Sequence, residues 1–152
     1  MRVVSLSFAA LLALVIIAVV TIPLLVIDVR SHRLPNSFTY PVALVIAVCL
    51  AISQQWIALA CGLVAGLAML ALYLATRGGV GMGDVKLSVS LGMASGAIGV
   101  VACVMVFVFA FLLGGIWAMI GLSARMYTRK TAIAFGPALL MGFWAAIISV
   151  ML

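Results

Sequence analysis

The chain has 152 residues, of which 69% are hydrophobic and 7% are charged. Soluble domains usually carry about a quarter charged residues and under half apolar ones, so a water-soluble globule is excluded. Eight basic against two acidic residues give a formal net charge of +6. The basic residues lie in short clusters between apolar runs. This pattern is typical of loops that set the orientation of a membrane protein, and it argues against nucleic-acid binding.

A membrane-spanning helix uses about 20 residues, so this chain has room for about six spans and none for a soluble domain. We therefore expect an all-α membrane protein, a bundle of about six transmembrane helices, with residues 1–152 as a single integral-membrane domain. The first apolar run, residues 3–27, is longer than a signal-peptide core and lacks a small-residue cleavage site. We expect it to remain as the first span.

The second and third spans are predicted from the turn signals beside them. Residues 28–36 are the most polar stretch of the chain, and Pro35 directs the preceding backbone away from helical geometry. The second span therefore runs from about 38 to 52. Residues 53–55 predict a turn, and the third span runs from Trp56 to about residue 75.

The second half of the chain begins with a glycine-rich stretch, residues 76–84, which is predicted to be a loop. The apolar stretch 85–123 corresponds to about 59 Å of helix, roughly twice the membrane core, so it must fold back once. Glycines around 96–99 mark that turn, and residues 133–152 form the sixth span. The spacings Gly62-xxx-Gly66 and Gly92-xxx-Gly96 predict close helix contacts.

The basic residues are distributed unequally between the two sides of this arrangement. Arg2 alone lies on one side, and the other side receives Arg30, Arg33, Arg77, Lys86, Arg125, Arg129 and Lys130. Cytoplasmic loops of membrane proteins collect Lys and Arg. The second side is therefore expected to face the cytoplasm, with both termini on the opposite side of the membrane.

Asp28 and Asp84 are the only acidic residues in the chain. They stand at the end of the first span and at the start of the fourth, so we expect both at similar depth on the cytoplasmic side. A carboxylate at membrane depth is costly, and its presence in so apolar a chain indicates function. Two facing carboxylates can share one proton, one acting as base and the other as acid, which is what an aspartyl protease requires.

Small residues accompany Asp84. The glycines before it allow an extended substrate backbone to approach and allow the loop to rearrange. On a helix that starts near Asp84, Ser88, Gly92, Ser95 and Gly99 follow one stripe, and this weakly polar face is expected to point inward.

Three blocks of sequence carry a resemblance that covers nearly the whole chain. Residues 81–87, Gly-Met-Gly-Asp-Val-Lys-Leu, match the GxGD motif of intramembrane aspartyl proteases. Two further blocks are similar to sequences of the type IV prepilin peptidase family. One is Asp28 with the Arg-Leu-Pro-Asn of residues 33–36, and the other is the late Phe-Gly-Pro of residues 135–137. Presenilin and signal-peptide-peptidase relatives share GxGD, but they are larger and lack the 28–36 block.

The resemblance implies a GxGD-type protease with Asp28 and Asp84 as its catalytic pair, in the bacterial inner membrane with the active site facing the cytoplasm. It implies cleavage of short basic leaders from prepilin or pseudopilin precursors, typically just after a glycine. Many bacterial members carry a cytoplasmic methyltransferase region with paired cysteines, for which this chain has no room. The chain resembles the short members of tight-adherence pilus systems, and an unmethylated product is expected.

Other residues of the three blocks are supporting or substrate-binding candidates: Gly81, Gly83, Lys86, Arg33, Pro35, Asn36, Gly136 and Pro137. Each also has a simpler structural explanation. The glycines suit an ordinary flexible turn, and Lys86 and Arg33 suit the enforcement of topology. Asn36 suits a helix cap, and Pro137 suits the start of the sixth helix.

Two other classes of function are alternatives: a small transporter or proton pathway in which the acids relay ions, and a catalytically silent subunit of a pilus or secretion assembly. Against the transporter, both acids lie at one membrane edge and no internal symmetry marks a midplane site. No cofactor, metal or disulfide is expected, because ligand clusters are lacking and the three cysteines are scattered through apolar spans. The expected partners are precursor peptides and the lipid bilayer, without nucleic acid.

Overall fold

The helices of the protein follow the apolar segments of its sequence. A computed structural model describes residues 7–31, 36–76, 80–123 and 135–152, and within these ranges every regular element is an α-helix. The helices are α1 (Phe8–Ser31), α2 (Asn36–Ile52), α3 (Trp56–Ala75), α4 (Met82–Gly96), α5 (Val100–Ser123) and α6 (Gly136–Met151). The predicted all-helical class is confirmed for the described part of the chain.

Two helix boundaries differ from the predicted ones in ways that affect the acids. α1 continues to Ser31, so Asp28 lies inside its last turn and not in a loop, because no proline or glycine lies between Asp28 and Pro35. α4 begins at Met82, two residues before Asp84, although this segment was predicted to be loop. Glycine is tolerated there because hydrogen bonds between Asp84 and Gly81 stabilise the start of α4.

The predicted turns at residues 53–55 and around residues 96–99 are confirmed. The long apolar stretch folds back after Gly96, where the Ala97 N–H donates to the Met93 carbonyl at 3.0 Å, and α5 starts at Val100. Gly99 therefore lies outside α4, and the predicted stripe on this helix ends at Ser95. The turn between α2 and α3 contains Gln54 with φ of 58°, a left-handed conformation that reverses the chain tightly.

Five helices surround α4. It packs against each of the other helices, and each outer helix packs against α4 and two outer neighbours, in the ring order α1, α2, α3, α5, α6 and back to α1. α4 is the least apolar helix, with Asp84, Lys86 and three serines, yet most of it is buried. The outer helices expose large apolar side chains such as Val19, Leu63 and Trp117. A polar centre inside an apolar surface suits lipid, whereas a water-soluble protein hides its apolar side chains.

The close packing of α3 and α4 rests on their glycines. A Cβ atom at Gly66 would lie 2.5 Å from the Cγ2 atom of Val89, and one at Gly96 would lie 2.6 Å from the Cβ atom of Cys61. The glycines of the Gly62-xxx-Gly66 spacing therefore lie against α4, and those of the Gly92-xxx-Gly96 spacing lie against α3. This is expected for small residues, which let two helix backbones approach closely. These pairs also show that α3 and α4 run antiparallel.

Two helical segments, Trp56–Ala75 and Val100–Ile120, are long and apolar enough to cross a membrane. Shorter apolar segments belong to α1, α2 and α6: Phe8–Leu24, Thr39–Ile52 and Gly136–Met151. The central helix α4 has 15 residues, about 22 Å of helix against a membrane core of about 30 Å. The most polar helix is thus also the shortest, and it lies within a ring of longer ones.

Contacts between helices show which helix ends lie together. The Gln55 side-chain amide donates to the Ser7 hydroxyl, so α1 and α3 start at the same end. Tyr40, near the start of α2, contacts Lys86, near the start of α4. Together with the tight turns at 53–55 and 97–99, these contacts place the start of α4 and the end of α1 at the opposite end, which we call the Asp84 end.

Candidate active site

Asp84 lies in the first turn of the central helix and is 4% exposed. Its N–H donates to the Gly81 carbonyl oxygen at 3.0 Å, and the Gly81 N–H donates to its Oδ2 atom at 3.3 Å. These reciprocal hydrogen bonds satisfy backbone groups that the start of a helix otherwise leaves without partners. The positive end of the helix dipole also favours an acidic side chain at this position.

The two glycines of the GxGD motif have different environments. Gly81 is exposed and extended, with φ of −70° and ψ of 141°, and immediately precedes α4. A Cβ atom there would lie 3.2 Å from the Oδ2 atom of Asp84, so a side chain would crowd the carboxylate. Gly83 is half-buried within the first turn. The motif therefore folds the carboxylate back towards a glycine that leaves space for it.

The weakly polar face of α4 points inward, as predicted for Ser88, Gly92 and Ser95, which are all buried. The Ser88 hydroxyl donates to the Val85 carbonyl at 2.7 Å, and the Ser95 hydroxyl donates to the Leu91 carbonyl at 2.7 Å. Hydrogen bonds within the helix thus satisfy these hydroxyls away from water.

Lys86 reaches from α4 to α2. Its Nζ atom lies 4.5 Å from the centroid of the Tyr40 ring, which is the geometry of a cation–π contact. Lys86 is half-buried, and Tyr40 is 57% exposed. Tyr40 was not among the residues predicted from the sequence. The available signal was its place one helical turn after Asn36, since residues four apart share a helix face.

Asp28 lies in the last turn of α1, at the Asp84 end, and α1 packs against α4. The side chain of Asp28 is outside the described part of the chain, as are Arg33 and Pro35. Asn36 is the first residue of α2, and its side chain is likewise outside the described part. The backbone arrangement brings the helix that carries Asp28 to the end of the bundle where Asp84 lies.

The late block, residues 135–137, begins α6 and attaches it to α5. Gly136 is buried, and Pro137 lies in the first turn of α6. Proline is tolerated there because backbone N–H groups of the first turn have no partner within the helix. The Phe135 ring lies 5.4 Å from the Phe111 ring, centroid to centroid, and a Cβ atom at Gly114 would lie 2.4 Å from Phe135. These contacts agree with a structural role for the block, as the start of a helix that packs on α5.

An apolar groove of about 850 Å³ lies between α3 and α5, lined by residues from Ile57 to Met69 and from Val100 to Leu112. Its lining includes Cys61 and Cys103 but neither Asp84 nor Lys86. All three cysteines are free thiols. In the described ranges, no three His, Cys, Asp or Glu side chains are grouped to hold a metal ion. The groove therefore differs in place and chemistry from the surroundings of Asp84.

Comparison with known proteins adds an independent finding. Residues 12–119 match the model of the type IV leader peptidase family, a range that includes Asp28, residues 33–36 and the GxGD motif but not residues 135–137. No curated protein and no solved structure is significantly similar to the chain. The family match and the two long apolar helices indicate a membrane protein. Because the match covers well over half of the chain, the protein belongs to the type IV leader peptidase family.

Proposed function

We propose that the protein is a membrane-embedded aspartyl endopeptidase that removes the basic leader peptide from type IV prepilin or pseudopilin precursors at the cytoplasmic membrane face. The whole chain acts as one peptidase domain with six spans. Asp28 and Asp84 form its catalytic pair, and no metal or cofactor takes part. The family match supports the peptidase class, and the substrate follows from what members of the family act on.

The observation that carries this proposal is the position of Asp84. It is a buried acid in the first turn of the helix that every other helix contacts, inside a bundle with an apolar exterior. Keeping a carboxylate there costs free energy, so its presence at this position supports a function for it. The hydrogen bond from the Gly81 N–H to Oδ2 orients the carboxylate, which is the preorganisation that proton transfer at a fixed site needs.

In the proposed reaction, water attacks the carbonyl carbon of the scissile peptide while one carboxylate accepts a proton from that water. The other carboxyl group, which is protonated beforehand, donates its proton to the leaving nitrogen as the C–N bond breaks. The leader then ends in a carboxyl group and the mature chain begins with an amine. The two carboxyl groups have exchanged roles, and a proton transfer through solvent restores them.

The charge distribution supports a cytoplasmic active site. Arg30 in α1 and Lys86 in α4 lie at the Asp84 end, and the other basic residues expected on the cytoplasmic side are outside the described part of the chain. Arg2 precedes α1 in the sequence, and α1 starts at the other end of the bundle. A side rich in Lys and Arg stays in the cytoplasm during insertion.

The transporter alternative fits these observations less well. Ion pathways use acids near the membrane midplane, commonly beside interrupted helices. Asp84 lies in the first turn of α4, at the end of the bundle. The family match further favours a peptidase over a catalytically silent subunit.

The proposal is tested with purified protein in vesicles that contain anionic lipid. The substrates are peptides with a basic leader, a glycine and an apolar segment, and mass spectrometry identifies the products. We expect a product that begins directly after the glycine and carries no added methyl group.

A matched peptide with leucine in place of that glycine should be cleaved much less. Absence of cleavage of every precursor tested would contradict the proposal. Cleavage by an Asp84→Asn preparation at the wild-type rate would equally contradict it, because the activity would then belong to another site or protein.

A further inference from the structure

The contact between Lys86 and Tyr40 joins two helix starts at the Asp84 end. The Lys86 Nζ atom lies 4.5 Å from the centroid of the Tyr40 ring. Lys86 follows Asp84 by two residues on α4, and Tyr40 is in the second turn of α2. The contact therefore links the beginning of α2 to the beginning of α4.

Lys86 is an unusual residue for its position. Lys86 is the fifth residue of α4, just beyond the first turn, so the positive end of the helix dipole disfavours its charge only weakly. Lys86 is also half-buried within the bundle, whose exterior is apolar. The negative face of an aromatic ring offsets both effects, and such contacts strengthen as water is excluded. The Tyr40 ring thus gives the ammonium group a defined place on the α2 side of α4.

The same contact bears on the second acid. α2 begins at Asn36, a few residues after α1 ends at Ser31, and Asp28 lies in the last turn of α1. A connection of four residues limits how far the start of α2 can lie from the end of α1. Fixing the start of α2 against α4 therefore also restricts the end of α1 relative to Asp84.

We propose that Tyr40 is a positioning residue, whose ring, through Lys86, holds the end of α1 that carries Asp28 in register with Asp84. This inference rests on the proposed function, because it concerns the assembly of the same catalytic pair. It assigns the contribution to the ring face of Tyr40 and not to its hydroxyl group.

The first test compares Tyr40→Phe with Tyr40→Leu in the cleavage assay. Phenylalanine keeps the ring face, so its kcat should stay within about twofold of the wild-type value. Leucine keeps the apolar bulk without the ring, and its kcat should fall about tenfold while KM changes little, because misplacement of the acids affects the chemical step. In a Lys86→Gln background, Tyr40→Leu should have no further effect, since Tyr40 acts through Lys86.

The second test is independent of activity. Cys49, Cys61 and Cys103 are replaced by alanine, Asp28 and Asp84 are replaced by cysteine, and oxidative cross-linking of the new pair is measured in the full chain. We expect efficient cross-linking with Tyr40 or with Tyr40→Phe, and a several-fold loss with Tyr40→Leu.

The outcomes separate this inference from the proposed function. Equal cross-linking in the Tyr40 and Tyr40→Leu chains, or a Tyr40→Phe enzyme as impaired as Tyr40→Leu, would overturn the positioning role. Cross-linking that depends on the ring, together with a wild-type protein that cleaves no precursor, would support the positioning role and overturn the proposed function alone.

Discussion

A Cβ atom added at Gly92 would lie 2.7 Å from the Cβ atom of Ala65. α4 and α3 are therefore in contact at a point where neither helix has a flexible side chain that could move aside. The Cys61 carbonyl oxygen would lie 3.0 Å from the same added atom. The depth of α4 inside the ring of helices therefore depends on a bare glycine surface. Because Asp84 begins this helix, the same surface sets where its carboxylate lies.

We predict that Gly92→Ala destabilises the protein by about 1–3 kcal/mol, because the added methyl group has backbone and a methyl group, not a flexible side chain, as its neighbours. Thermal unfolding of the purified protein in detergent measures the change. The matched control is Gly115→Ala on α5, where an added Cβ atom would have nothing within 4 Å. Equal unfolding temperatures for the two variants would contradict the tight α3–α4 contact.

The role of Asp84 in starting α4 can be separated from its proposed chemistry. Asparagine retains an oxygen that accepts the hydrogen bond from the Gly81 N–H, whereas alanine does not. We predict that Asp84→Ala is less stable than Asp84→Asn by about 1 kcal/mol, the usual contribution of such a cap, while both are inactive. Chemical unfolding of the two variants measures this difference. Identical stabilities would show that the cap contributes little to helix α4.

The sequence predicted where the helices lie better than how they pack. Long apolar runs, the glycines near residue 96 and the polar residues 53–55 mark helices and turns through local chain properties, and the structure agrees with them. The ring order around α4 was not predictable. Helices such as α5 are apolar on all faces, so no period in their sequence shows which side points inward.

The candidate site shows the same division. The motif around Asp84 is local, and the helical spacing after it was sufficient to predict the inward-facing stripe that includes Ser88. The continuation of α1 beyond Asp28 was missed, because the end of an apolar run need not end a helix. Tyr40 was missed because its partner Lys86 is distant in sequence, and a single sequence gives no sign of such a pairing.

The proposed topology predicts opposite labelling of two turns. Ser53 and Thr76 are exposed and lie at opposite ends of the α2–α4 region. In a chain without its native cysteines, Ser53→Cys should react with a membrane-impermeant reagent from outside, and Thr76→Cys only after the cytoplasmic face is opened to the reagent. Labelling of Ser53→Cys solely from the cytoplasm would reverse the orientation and contradict a cytoplasmic active site.

The most direct test of the catalytic pair is precursor cleavage by Asp28→Asn, by Asp84→Asn and by the double variant, measured side by side. Asparagine keeps the size of the side chain but cannot exchange the proton, and removal of a charge should not impair insertion, so all three should accumulate normally. A pair that works as a unit loses nearly everything with either member. We predict that each single variant cleaves as little as the double variant. Substantial cleavage at the normal site by either single variant would contradict the account, because that acid would then be structural.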